Sequence, residues 1–226
     1  MSKLCKNQLI EKLVPLFRNT DTDIDEAVAK AKKRADNETK SQSFDAQVKR
    51  LLDKGYAEVA GMEKDKFLKH LNVLKENFRA GSVIVIPENM VSLDKMMTMV
   101  EVDGKTGYAH LDTTEVYNAE GTETPRKPYL IYDAEDGKAM LNTSPDNCVK
   151  KFKKQGRFGQ NAQEGIAMVT YKPEILKDHY VDLTGSRFKS SDNVPNLYLY
   201  AGRPKLDWNF AGSSYSKWGS ASCGSR

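Results

Sequence analysis

The residues best suited to chemistry by type and spacing lie at the end of this sequence: Trp218-Gly219-Ser220-Ala221-Ser222-Cys223-Gly224-Ser225-Arg226. Small residues at this density let a backbone approach another group closely, and three hydroxyls and a thiol could face whatever is approached. A thiolate nucleophile needs its pKa lowered by a histidine, a cation or a helix N-terminus. Arg226 follows Cys223 closely, Arg187, Arg203 and Lys205 belong to other glycine turns of the same half, and His110 or His179 could supply a base. On this reading Cys223, or Ser220 or Ser222, is a catalytic candidate, with arginines steadying an oxyanion. The other reading makes the tract a final strand and Cys223 a small buried hydrophobe, the commoner fate of a free cysteine.

The same half suggests an anion site. Gly185-Ser186-Arg187, Gly202-Arg203-Pro204-Lys205 and Gly219-Ser220 each join a glycine turn to a polar or cationic side chain. Such turns aim backbone N–H groups outward, and arginine grips phosphate or carboxylate in bidentate fashion. With Trp208 and Trp218 they define an expected ligand surface of Arg187, Arg203, Lys205, Trp208, Trp218, Ser220 and Ser222, facing a small anionic ligand or a protein partner. The plain alternative is hairpin turns carrying surface cations. Neither G-x-x-x-x-G-K-[ST] nor G-x-G-x-x-G occurs, so nucleotide binding by those routes is unsupported and no cofactor is expected.

Nucleic acid is a further alternative. Lys150-Lys151-Phe152-Lys153-Lys154-Gln155-Gly156-Arg157-Phe158 interleaves cations with aromatics, the pattern that grips phosphates and stacks bases. Phe152, however, shares a helical face with Cys148 and Val149 and belongs to a core, which leaves the lysines as a solvated face. The net charge of +4 permits such contact without demanding it, so nucleic acid ranks behind the other partners. Among the late aromatics, Tyr198 and Tyr200 share a strand face, as do Trp208 and Phe210.

Cys5, Cys148 and Cys223 are far apart and form no C-x-x-C pair, and no two of His70, His110 and His179 stand at i, i+4. A disulfide framework and a metal centre are therefore not expected. The longest clean apolar run, Val83-Ile84-Val85-Ile86, is far short of a membrane span. The opening Met1-Ser2-Lys3-Leu4-Cys5-Lys6 turns polar too soon for a secretory signal, so a soluble cytoplasmic protein is expected.

The elements that must position these groups begin as helices. Periodicity predicts one over Phe44–Leu52 with Gly55 beyond its end, and one carrying Phe67, Leu68, Leu71, Val73, Leu74 and Phe78. Short strands are expected at Val83–Ile86, Met96–Val102, Tyr108–Leu111 and Tyr129–Asp133, with turns at Asp103-Gly104 and Asp136-Gly137. Ser144 with Pro145 starts one helix, and Asn161 with Glu164 forms a capping box for the next. Strands return at Tyr180–Leu183, Leu197–Tyr200, Leu206–Phe210 and the closing tract.

In this order several stretches are distinctive: Phe44-Asp45-Ala46-Gln47-Val48 with Lys54-Gly55-Tyr56, Tyr129-Leu130-Ile131-Tyr132-Asp133 and Glu164-Gly165-Ile166-Ala167. They are followed by Leu183-Thr184-Gly185-Ser186-Arg187, Gly202-Arg203-Pro204-Lys205-Leu206 and the closing Gly219-Ser220-Ala221-Ser222-Cys223. From about Phe44 onward the chain resembles an uncharacterised bacterial protein family, a domain of unknown function. The resemblance implies no established activity. Where the family pattern has cysteines after the Gly-Ser-Arg and in the tryptophan strand, this chain has Phe188 and Asn209, which argues against a clustered-cysteine mechanism.

The expectation is an α+β fold, an N-terminal helical layer packed on a mostly antiparallel sheet with inserted helices. Residues 1–43 would form a helical extension and 44–226 a single α+β domain. The leading function is a binding or interaction module whose surface is built by the C-terminal turns, ahead of the enzyme reading on Cys223 and of weak nucleic-acid binding through Lys150–Arg157.

Overall fold

The computed structural model describes residues 43–226; the helical extension expected over residues 1–43 lies, Ser43 apart, outside the described residues. The chain is α+β. Helix α1 (Phe44–Asp53) starts on Ser43, whose hydroxyl accepts from Ala46 N, and it buries Phe44, Val48 and Leu51. Gly55, left-handed at φ 79°, follows it and leads into α2 (Tyr56–Val59). Helix α3 (Lys64–Asn72) ends earlier than its apolar spacing suggests. Val73 is 71 % exposed, and a 3-10 turn over Lys75–Asn77 carries the chain on.

Strand β1 (Val83–Val85) pairs antiparallel with β6 (Tyr129–Ile131). The buried Gln47 of α1 completes the β1 edge, donating to Ser82 O and accepting from Ile84 N. The strand expected at Met96–Val102 is instead α4 (Leu93–Met99) followed by the two-residue β2 (Glu101–Val102). Leu93, Met96, Met97 and Met99 are all buried, so this run serves as a methionine-rich core helix, and methionine is a good helix former. Strand β3 (Lys105–Thr106) returns antiparallel to β2. Their two-residue turn, Asp103 and Gly104, has φ 49° and 76°, as a tight primed hairpin requires. Strands β4 (Tyr108–Ala109) and β5 (Val116–Asn118) follow.

Helix α5 (Pro145–Gln155) has Ser144 as N-cap, Pro145 in its first turn and left-handed Gly156 at its end. It turns Cys148 and Phe152 inward, while Val149, expected beside them, is 38 % exposed. After β7 (Phe158–Gly159), α6 (Ala162–Tyr171) carries the full capping box of Asn161 and Glu164, and the short α7 (Ile175–Asp178) precedes β8 (Tyr180–Asp182).

Strands β8, β10 (Asn193–Tyr200), β11 (Arg203–Phe210), β12 (Trp218–Ser220) and β4 form a five-stranded sheet in the order β12-β8-β10-β11-β4. Its inner pairings are antiparallel and its two edge strands join in parallel. Strand β9 (Ser186–Phe188) pairs with β5, and β13 (Ser222–Cys223) pairs with β7, both antiparallel. One face of the central sheet carries Val181, Leu197 and Leu206 into the main core with Met97 of α4 and Ile166 of α6. The opposite face carries two polar or aromatic rows and meets a small cluster of Met140, from a 3-10 turn over Lys138–Met140, with Cys148 and Phe152 of α5. No helix among the described residues is long and apolar enough to cross a membrane.

Candidate functional site

The closing tract is woven into the fold. Gly219 approaches Gly137 so closely that a Cβ on Gly219 would lie 2.1 Å from the Gly137 carbonyl oxygen. The small residues thus serve contact between two backbones of the same chain. Ser222 exchanges backbone hydrogen bonds with Glu135, and Tyr132 N donates to Ser225 O at 3.0 Å. The Ser222 hydroxyl accepts from Arg157 Nε at 2.9 Å, and Arg157 also donates to Asp133 O. Arg157 therefore ties segments together, although it closes the basic stretch in sequence.

Cys223 is fully buried. Burial, with Glu164 nearby, pushes its thiol up to about 12, while Arg226 and Arg157 only partly oppose the rise. Activation of a thiolate requires the reverse. Of the two candidate bases, His179 lies with Nε2 3.0 Å from Asp136 O.

The expected surface residues are dispersed. Arg187 of β9 donates through Nη1 to Thr184 O and Ser186 O, each at 2.8 Å. Arg203 donates to Thr106 O with its guanidinium 4.9 Å from the Tyr108 ring centroid. Trp208 and Trp218 fall on opposite faces of the central sheet: Tyr198 pairs with Lys205 in register, so Lys205 shares the Tyr198 face and Trp208 does not. Trp208 instead stacks near Phe188, 6.1 Å between centroids.

On the other face the structure brings together groups from four strands. One row runs Trp218, Tyr180, Tyr198, Lys205 and the next runs Ser220, Asp182, Asn196, Asp207, as the strand registers dictate. In the first row Tyr180 lies 5.0 Å from both Tyr198 and Trp218, centroid to centroid, and Tyr215 reaches Trp218 at 5.7 Å. Lys205 bonds Asp207 at 2.7 Å. Burial would lower the Lys205 pKa, but the bonds to Asp207 and the Tyr198 hydroxyl override it and hold the ammonium at about 12. In the second row Asp182, Asn196 and Ser220 are buried, and neither the Asp182 carboxylate nor the Asn196 amide has a hydrogen-bond partner. Burial alone pushes the Asp182 carboxyl up to about 7. The Cys148 thiol of α5 sits beside Ser220 in this layer.

Beside α5 opens a cleft of about 530 Å³, lined by Asn142, Thr143, Ser144, Asn147, Lys150, Lys151, Lys154, Gly212 and Ser214. Two backbone bonds assemble it from distant segments, Asp146 N to Ala211 O at 3.0 Å and Asn142 N to Trp218 O at 3.2 Å. Lys151 Nζ leans on Thr143 Oγ1 at 3.3 Å and Lys150 Nζ on Asn147 Oδ1 at 3.4 Å. No carboxylate is among these lining residues. Cations, amides and hydroxyls without an opposing acid form a surface complementary to an anion. The basic stretch foreshadows the lysines, and Asn147 stands one helical turn before Lys150; no local motif links them to Asn142, Thr143 and Ser214, and sequence reasoning missed all four.

Comparison with known proteins adds the lineage. A family model described as a family of unknown function (DUF5701) matches residues 50–226. The chain belongs to this family. No curated protein and no solved structure matches it.

Proposed function

We propose that this member of the DUF5701 family is a binding module for an anionic ligand, seated in the cleft between α5 and the segments 142–144 and 212–214. The observation that carries the reading is the lining itself: Lys150, Lys151 and Lys154 face a cleft that also offers Asn142, Thr143, Ser144, Asn147 and Ser214 and holds no carboxylate. Lysine ammonium groups bind phosphate or carboxylate as point charges, and neighbouring amides and hydroxyls orient the oxygens. Neither Arg187 nor Arg203 is among the residues that line it. Within this reading the free thiols of Cys148 and Cys223 suit a reducing, cytoplasmic setting.

Titration calorimetry with inorganic tripolyphosphate tests it. Binding should weaken steeply as salt rises and fall at least about tenfold, roughly 1.4 kcal/mol, in a Lys150→Glu, Lys151→Glu, Lys154→Glu variant with an unchanged circular dichroism spectrum. Absence of binding to the parent protein, or equal binding to both, overturns the reading.

A further inference from the structure

The cleft adjoins the aromatic row on the same side of the central sheet. Trp218, whose carbonyl accepts from Asn142 N at the cleft wall, begins the row, and Tyr215 follows the lining residue Ser214 directly in sequence. From Tyr215 the rings step to Trp218, Tyr180 and Tyr198 at centroid separations of 5.0–5.7 Å. Two residues beyond Tyr198 on β10, Tyr200 stands on the same strand face. Tyr200 and Tyr215, at either end, are 59 % and 50 % exposed, and the three rings between them are half-buried.

Cations accompany these rings. Lys205 Nζ lies 5.5 Å from the Tyr198 centroid and 5.2 Å from that of Tyr200, and exposed Lys217 precedes Trp218. The carboxylate bonded to the row, Asp207, is matched by Lys205 at 2.7 Å. A lysine cleft leading into a line of rings that spans β12, β8 and β10 exceeds what one small anion needs. The inner rings lean on one another at 40–79°, and the exposed rings Tyr215 and Tyr200 at the two ends offer surface for planar rings beside the point charges for phosphates, the two features that hold unpaired bases irrespective of sequence. Bases in a duplex are stacked on each other and cannot use such a platform.

We infer that the row of Tyr215, Trp218, Tyr180, Tyr198 and Tyr200 is a stacking platform for a single-stranded nucleic acid whose phosphates enter the α5 cleft. The inference rests on the anionic-ligand reading of that cleft. It differs from the contact suggested by the basic stretch alone: Phe152 is core and Arg157 is engaged within the fold, so the rings come from the sheet and the charges from Lys150, Lys151 and Lys154.

The test compares a fluorescein-labelled fifteen-nucleotide oligothymidylate with a duplex of equal length by anisotropy, and tripolyphosphate by calorimetry. The variant Tyr200→Ala, Tyr215→Ala removes the two exposed rings and keeps the three half-buried ones. The parent should bind the single strand about tenfold or more tighter than the duplex, with affinity falling as salt rises. The variant should lose about tenfold for the single strand and keep its tripolyphosphate affinity. If tripolyphosphate binds but the single strand has no advantage over the duplex, or the variant binds it like the parent, the platform is overturned and the anion module stands. If neither probe binds, both fall.

Discussion

Arg226 clasps Glu164 through two contacts, Nε to Oε1 at 2.7 Å and Nη2 to Oε2 at 3.0 Å. Glu164 is fully buried, and its carboxylate also accepts from the Tyr129 hydroxyl and from Asn161 N. The residue that caps α6 thus also anchors the closing tract, and Arg226 donates further to Gly159 O. Removing one partner of a buried pair strands the other charge, at a cost of about 3–5 kcal/mol. Arg226→Ala should lose stability on that scale in urea unfolding. A loss below about 1 kcal/mol, the range of exposed pairs, would show that the pair contributes little.

Gly219 supplies an independent check on the same tract. A Cβ there would meet Gly137 O at 2.1 Å, and a Cβ on Gly137 would meet Gly219 O at 2.5 Å; both obstacles are backbone. Overpacking typically costs about 1–3 kcal/mol, and Gly219→Ala should reach the upper part of that range. A melting temperature equal to the parent's would mean that the two backbones separate freely.

Cys223 should resist alkylation in the folded protein. Its thiol is fully buried and pushed up to about 12, first by burial and then by Glu164. In a Cys5→Ser, Cys148→Ser background, iodoacetamide should label it only once denaturant unfolds the chain. Fast labelling of the native protein at neutral pH would restore the nucleophile reading.

What the sequence made legible was local. Asn161 with Glu164, and Ser144 with Pro145, announce helix starts because a cap is decided within four residues, and both helices begin there. The run Met96–Val102 misleads because β-strand propensity follows tertiary setting, and the burial of Met96, Met97 and Met99 favours a helix. The closing tract is visible as chemistry, but its partners Gly137, Glu135 and Glu164 are distant in sequence, so its small residues resemble a ligand surface. The cleft is hidden for the same reason: the segment holding Asn142 and Asn147 meets the one holding Ser214 through backbone bonds across long separations. The alternation of Tyr180 and Asp182 about the buried Val181 does carry a signal, a polar stripe on a strand whose other face is core.

That stripe leads to a pH dependence. Asp182 is buried, neither carboxylate oxygen has a hydrogen-bond partner, and burial raises its pKa from 3.8 to about 7. Between those values the folded protein holds a proton that the unfolded chain releases, so its stability falls as pH rises through the window and levels off above it. Each tenfold change in proton affinity corresponds to about 1.4 kcal/mol, which makes the ionised carboxylate a burden of a few kcal/mol at pH 8. Asp182→Asn keeps the shape and removes the ionisation. The variant should melt close to the parent at pH 4 and clearly above it at pH 8, because the contributions of all other titrating groups largely cancel in the difference. A difference in melting temperature that stays flat across that range would mean that the Asp182 carboxylate is solvated or paired in solution.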